Sequence, residues 1–148
     1  MKGFTLLELL IVIGIVIILI GITIAAINPA KQMAAARDAT RWSHVNVLAN
    51  AIAQRTVDRA GTWSCTVDGT PYDVTTTWHE ISDTDYDICP CLYPDYIGSL
   101  PRDPEAGAPY TGCAAGYDTD YEIRWSTTTP PYRVEVRSAR DHNIMTSR

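Results

Sequence analysis

Three histidines in 148 residues, scattered at His44, His79 and His142, leave little material for acid–base or metal chemistry. No Gly-rich elbow, paired nucleophile or metal-ligand spacing accompanies them, and neither a phosphate loop nor a dinucleotide fingerprint occurs. Each histidine therefore reads as a surface or helix residue, and no catalysis is expected. The chain has one Phe, and Trp42 is the only aromatic residue between Phe4 and Ala60, so no aromatic column runs along that stretch to conduct electrons. Repeats, collagen-like periodicity and disorder-type composition are absent as well. With 46% apolar residues, 20% charged residues and a net charge of −5, one domain of ordinary size is the expectation.

Charge is missing unevenly. Residues 1–27 hold one Lys and one Glu, residues 28–60 are net +3, and residues 61–148 hold six Lys/Arg against fourteen Asp/Glu, net −8. A distal domain of that sign repels phosphate backbones, which excludes nucleic acid as its default partner.

What is present is a long apolar run, Leu6 to Ile27, whose only charge is Glu8. Leu9 through Ile27 are nineteen residues with none, which as a helix cover roughly 28 Å, close to the hydrocarbon thickness of a bilayer. A cleaved secretory signal would have a shorter apolar core and a small-residue cleavage site beyond it. Here Asn28-Pro29 closes the run instead, so the segment is expected to stay in the mature protein as a single span. An ionised carboxylate at Glu8 is costly in lipid unless it snorkels, neutralises or meets a cation. The available cations are Lys2, the chain's own amino end, or a group on another molecule, and the last option makes Glu8 an assembly residue.

Lys2-Gly3-Phe4-Thr5-Leu6-Leu7-Glu8, followed by an unbroken aliphatic helix, resembles the amino-terminal signal of type IV pilins and of type II secretion pseudopilins. The resemblance implies that a membrane aspartyl peptidase, the prepilin peptidase, cuts after Gly3, that Phe4 becomes an N-methylated amino terminus, and that Glu8 is the family's assembly glutamate. It also implies a stretch unwound in the filament, which falls here between Gly14 and Gly21. In physical terms, cleavage creates an ammonium on Phe4, and Glu8 of a neighbouring copy cancels it, removing two charges that are each unfavourable in hydrocarbon and fixing axial register. Leu100-Pro101-Arg102-Asp103-Pro104, with Pro109-Tyr110 beyond, is similar to the carboxy-proximal loop of pseudopilins, although Glu105-Ala106 stand where that loop has Trp-Gly. Positive charges are few before the apolar run, whereas Lys31, Arg37 and Arg41 follow it, so a charge count opposes an exported distal domain. Four cysteines in that domain outweigh the count, because long domains translocate largely regardless of charge and cysteine pairs belong to oxidising compartments.

Beyond Asn28, a plausible cap, Pro29 suits the first position of a second helix over roughly 29–60. Arg41, Val45, Leu48, Ile52 and Thr56 form its inner stripe, expected to pack on a sheet, and Lys31, Arg37, Arg55 and Arg59 its outer face, either solvated or meeting acidic neighbours in an oligomer. The pattern then alternates. Trp63, Cys65 and Val67, with Tyr72, Val74, Thr76 and Trp78, flank Asp68-Gly69, a strong hairpin signal. Tyr121, Ile123 and Trp125 and then Tyr132, Val134 and Val136 predict a second antiparallel pair, joined by a Thr/Pro-rich connection at 126–131. Residues 79–120 read mostly as loop.

Cys65, Cys89, Cys91 and Cys113 allow three disulfide pairings, and linking Cys89 to Cys91 across one residue would strain the bond. Cys65 is thus expected to bond one of those two and Cys113 the other, which leaves two patterns open. Zinc is disfavoured because Cys-x-Cys occurs without His at ligand spacing. Asp83, Asp85, Asp87, Asp118, Asp120 and Glu122 read first as solubilising charges. Asp83-x-Asp85-x-Asp87 opens like a calcium loop, but Ile88 takes the place of the required Gly and the terminal Glu is missing. The resemblance to calcium-holding major pseudopilins implies, as the weaker alternative to no cofactor, Ca2+ at Asp118 and Asp120 with loop carbonyls.

The expected fold is α+β: a long amino-terminal helix serving as membrane span and filament core, packed on a small, disulfide-stapled antiparallel sheet. The expected organisation is a leader at 1–3, the apolar helix at 4–28, the amphipathic helix at 29–60 and a globular head at 61–148. The expected function is a structural subunit of a pilus-like helical homo-oligomer. It starts in the inner membrane, is handled by the prepilin peptidase and a membrane assembly machinery, and ends as a surface filament. The alternative is a bitopic, membrane-anchored module whose acidic extracytoplasmic domain binds a ligand or cation as a monomer.

Overall fold

The computed structural model describes residues 3–106, 110, 112–113, 116–129 and 133–148. Met1, Lys2, Pro109 and Tyr132, which carry parts of the sequence reading, lie outside them. The chain divides into two units, Met1–Arg37 and Asp38–Arg148.

The first unit is helical. Helix α1, Leu6–Ile27, is unbroken, including the interval from Gly14 to Gly21 where the family resemblance implies unwinding. Backbone hydrogen bonding of a lone helix is self-contained and tolerates two glycines at about 1 kcal/mol each, so nothing within one chain opens it. Its one hydroxyl residue, Thr23, donates to the Ile20 carbonyl at 2.9 Å, which satisfies that side chain without water. Asn28 ends α1 in a left-handed conformation (φ 47°), and its side chain then accepts the Lys31 N–H at 3.3 Å. A single residue therefore caps one helix and starts the next, and Pro29 opens helix α2, Pro29–Asp58.

The second unit, the head, takes up α2 from Asp38 onward. Arg41, Val45, Leu48, Ala49, Ala51 and Ile52 are buried and Thr56 half-buried, which matches the expected stripe. Arg55 departs from the expected solvated face. It donates to the Cys91 and Ser64 carbonyls at 2.7 and 2.9 Å and lies over the Trp63 ring. Past α2 the chain reverses at Ala60-Gly61: the Gly61 N–H returns to the Thr56 carbonyl at 2.9 Å, a closure that needs the residue before it, Ala60 (φ 57°), to be left-handed.

Strands β1 (Thr66–Val67) and β2 (Thr70–Pro71) flank Asp68 (φ 49°) and Gly69 (φ 81°), the paired left-handed residues of a tight hairpin turn. The hairpin is much shorter than the alternation suggested. Beyond one further bond, Tyr72 N–H to Cys65 carbonyl at 2.7 Å, the residues up to Trp78 leave the ladder. The main sheet is antiparallel in the order β3-β4-β5-β6, from His79–Ser82, Asp118–Trp125, Val134–Ser138 and Met145–Ser147. Its centre is the expected pair, with Ile123 opposite Val136 and Trp125 opposite Val134. The outer strands were not expected: β3 lies at the head of the stretch read as loop, and β6 closes the chain. Residues Tyr121, Ile123, Trp125, Val134 and Val136 alternate inward and join Val45, Leu48 and Ile52 of α2 in one core with Ile81, Leu92 and Leu100. A single helical turn, α3 (Cys89–Leu92), occupies the long connection between β3 and β4.

Candidate functional site

The amino-terminal motif is the first candidate. Gly3 and Phe4 are exposed and precede the helix, Phe4 at 89% exposure, so the bond between them lies in non-helical chain. Thr5 is the helix cap. Its hydroxyl accepts the Glu8 N–H at 3.2 Å, while its own N–H and hydroxyl donate to the Glu8 carboxylate at 3.1 and 2.9 Å. This reciprocal arrangement was legible as Thr-x-x-Glu ahead of an apolar run, a signal the sequence reading passed over. It adds a partner to those considered for Glu8, since within one chain the carboxylate is held by Thr5. Hydrogen bonding orients the anion without neutralising it, so its need for a cation in an apolar setting is unchanged. Every described side chain from Leu6 to Ile27 is exposed, and the stretch Leu6–Ile24 has a mean hydropathy of 3.0. The helix is long and apolar enough to cross a bilayer.

The second candidate joins α2 to the loop carrying Leu100-Pro101-Arg102-Asp103-Pro104. Asp103 is wholly buried and Arg41 is 7% exposed. Arg41 Nε and one terminal nitrogen donate to the two Asp103 oxygens at 2.6 and 3.1 Å, and its remaining contacts reach Asp38 and Glu105, each at 2.9 Å. Asp103 also accepts the Glu105 N–H at 2.9 Å and lies 3.4 Å from Arg140. Burial alone would raise the Asp103 pKa, but the Arg41 hydrogen bonds, the Glu105 N–H and the cationic charge outweigh it and hold the carboxyl below its ordinary value. Arg41 is raised in turn, chiefly by the Asp103 hydrogen bond. The helical spacing placed Arg41 on the inner face, but its partner lies 62 residues away and no local signal names it.

The cysteines resolve the open choice. Cys65 is bonded to Cys91 and Cys89 to Cys113, with Cα atoms 5.9 and 5.5 Å apart. Two positions on the α3 turn, one residue apart, thus reach in two directions, one bond tying it to the β1 hairpin and the other to the loop before β4. All four thiols are consumed, so none is left as a metal ligand.

Asp118 and Asp120 do come together, and Glu80 of β3 joins them; ligand oxygens of the three lie within 4.8 Å of one another. The register shift between Glu80 and Ser82 and the left-handed Asp120 (φ 58°) bring the strands' polar faces to this point. Three half-buried carboxylates could share a hard cation through oxygen ligands. Glu80 carries the electrostatic strain: burial and then Asp118 push its pKa up. Asp120 is also held by Arg140 at 3.0 Å. The other acidic residues are hydrogen-bond acceptors as well as solubilising charges. Asp83 accepts the Gly116 N–H, Asp87 accepts the Tyr117 hydroxyl at 2.7 Å, and Glu122 pairs with Arg137 across the sheet. No protein-family model matches this chain, and no curated protein or solved structure matches it either.

Each histidine has its own partner. His44, on α2, shares a 2.9 Å hydrogen bond with the Tyr121 hydroxyl, and its burial lowers its pKa. His142 is 3.8 Å from Glu122. His79 lies between the Thr77 hydroxyl and Asp85, each at 2.9 Å. That order is the one used by nucleophilic triads, but His79 opens β3 half-buried while Thr77 and Asp85 are exposed, so water competes for each bond, and Asp85 also caps the Glu80 N–H at 2.8 Å.

Proposed function

We propose that the chain is a structural subunit of a type IV pilus-like filament, assembled from the inner membrane after removal of residues 1–3. The observation that carries this reading is an apolar helix, exposed along its described length, headed by Gly3-Phe4-Thr5-Leu6-Leu7-Glu8. Such a surface is unstable in water and must lie against lipid or against other apolar helices. Both environments are apolar, so a subunit moves from bilayer to filament core with little change in solvation along α1. The exception is Glu8, whose charge is unfavourable in either place until the Phe4 ammonium of an adjacent copy meets it. That single pairing makes assembly register-specific, because helix faces that are otherwise uniformly aliphatic slide freely against one another. The head stays outside the membrane, where its disulfides form, and the partners are the prepilin peptidase, the assembly machinery and further copies of the chain.

The test is Glu8→Val in cells that make the filament. Membrane insertion, head disulfides and protein level are expected to match the parent, while sheared surface material contains no filaments by electron microscopy. Abundant filaments from this variant would overturn the assembly role. Mass spectrometry of the amino terminus separates this reading from a monomeric tethered module: a methylated Phe4 terminus supports the filament subunit, and retained Met1 supports the module.

A further inference from the structure

We infer that the Cys89–Cys113 bond is a thiol-exchange site, attacked at Cys113 through an acidic cleft that admits cation-bearing thiols and turns away anionic ones. The two disulfides of the head are shielded unequally. Cys65, Cys89 and Cys91 are buried, at 2%, 0% and 8% exposure, whereas Cys113 is half-buried. Exchange needs a thiolate to reach one sulfur of the bond while the other sulfur leaves. Both ends of Cys65–Cys91 are closed to that approach. Cys113 alone of the four is open, which makes the wholly buried Cys89 sulfur the leaving group.

Cys113 lines a cavity of about 520 Å³ whose walls include Asp68 of the β1–β2 turn, Asp83, Asp87 and Pro90 of α3. That volume is in the range that takes a small organic molecule. The charge on the walls has one sign. Asp83 accepts the Gly116 N–H and Asp87 the Tyr117 hydroxyl, bonds that fix the carboxylates without neutralising them. Among the described residues, none of the three aspartates is ion-paired. Glutathione, a net anion, enters against this field, whereas a thiol that carries its own ammonium enters with it. Burial thus selects the sulfur, and charge selects the thiol.

In the exchange, the incoming thiolate sulfur bonds to the Cys113 sulfur, the Cys89–Cys113 bond breaks, and its electron pair leaves on the Cys89 sulfur, which takes a proton from water. The product is a mixed disulfide at Cys113 and a free thiol at Cys89. A second thiolate attacking the small-molecule sulfur releases Cys113, so two thiols lose one electron each and the protein disulfide gains two. The bond that opens ties α3 to the loop before β4, and the bond that survives still ties α3 to the β1 hairpin. The inference needs the folded head alone and is independent of whether copies assemble.

The test is timed exchange on the full chain in uncharged detergent micelles, comparing cysteamine, mercaptoethanol and glutathione at equal thiolate concentration. Free thiols are trapped by alkylation and mapped by mass spectrometry. The adduct is expected on Cys113, with Cys89 alkylated and Cys65 still bonded to Cys91, and cysteamine is expected to react roughly tenfold faster than glutathione. Salt at about 0.5 M should narrow that ratio by screening. Asp83→Asn/Asp87→Asn should narrow it too, since both side chains keep an accepting oxygen and lose the charge. Adducts that form first on Cys65 or Cys91, or no exchange until denaturant unfolds the head, overturn the inference. Equal rates for cysteamine and glutathione overturn it as well. None of these outcomes moves the result of the Glu8→Val experiment, so the filament reading stands or falls separately.

Discussion

Helices α1 and α2 follow one another with a single residue between them, yet chemically they are opposites. The more apolar helix buries no described side chain, while the more polar one supplies Val45, Leu48 and Ile52 to the core. Apolar content therefore states a demand for burial, and periodicity states whether the same chain can meet it. A helix apolar on every side has no polar face to leave in water, so no single small sheet can satisfy it and other molecules must. A helix with one apolar stripe is satisfied by one sheet. Under the proposed function, the first arrangement suits a subunit that passes from lipid to other copies, and the second a head that keeps its shape meanwhile.

The sharpest way to break this contrast is to remove what holds the head and leave α1 untouched. Cys→Ser at all four positions opens loops spanning 26 and 24 residues, worth roughly 3 kcal/mol each in the chain-entropy account. The head is expected to lose its cooperative thermal transition, read by tryptophan fluorescence, with membrane insertion of α1 retained. Next comes Asp103→Ala, which leaves Arg41 buried without its main partner and is expected to lower head stability by about 3–5 kcal/mol. The pH dependence has a defined sign. Because the folded Asp103 pKa lies below its ordinary 3.8, its contribution is complete above that value and is lost as pH falls through the folded pKa. Acid unfolding of the parent should show this loss and the Asp103→Asn variant should not.

A matched pair of substitutions sharpens the comparison directly. Leu48→Ala is expected to cost the head about 2–5 kcal/mol by leaving a core cavity. Leu19→Ala, the same change on α1, is expected to leave the head's melting temperature within error, since Leu19 is exposed in the single chain. Equal effects from the two would show that the regions are not independent. The smallest expected effect is a gain. Glu80 has a folded pKa raised above its ordinary 4.5, so its charge opposes folding at neutral pH and ceases to do so below that value. Glu80→Gln should stabilise the head by under about 1 kcal/mol at neutral pH, given solvent screening, with the gain vanishing in acid.

Much of the scaffold was legible because its signals are local. The span needs only length and composition, the break at Asn28-Pro29 and the turn at Asp68-Gly69 need only the conformations those residues favour, and β4 and β5 show unbroken alternation. Strands β3 and β6 escaped because they are four and three residues long and owe their extended form to the neighbours that bond them. The aromatic stack of Trp78 against Arg124 and Arg137, 4.5 and 4.0 Å from its ring, likewise depends on three strand regions meeting.

The sequence by itself determined that this chain has an apolar span carrying one carboxylate, a helix with one buried face and an acidic head with four cysteines, since each follows from residues close together in the chain. Only the tertiary structure decided that Cys65 joins Cys91, that Asp103 meets Arg41 and that Glu80 completes the Asp118–Asp120 cluster. Those pairings depend on which distant segments the sheet brings within a few ångströms, and hydrogen bonds, ion pairs and disulfides act only at that range.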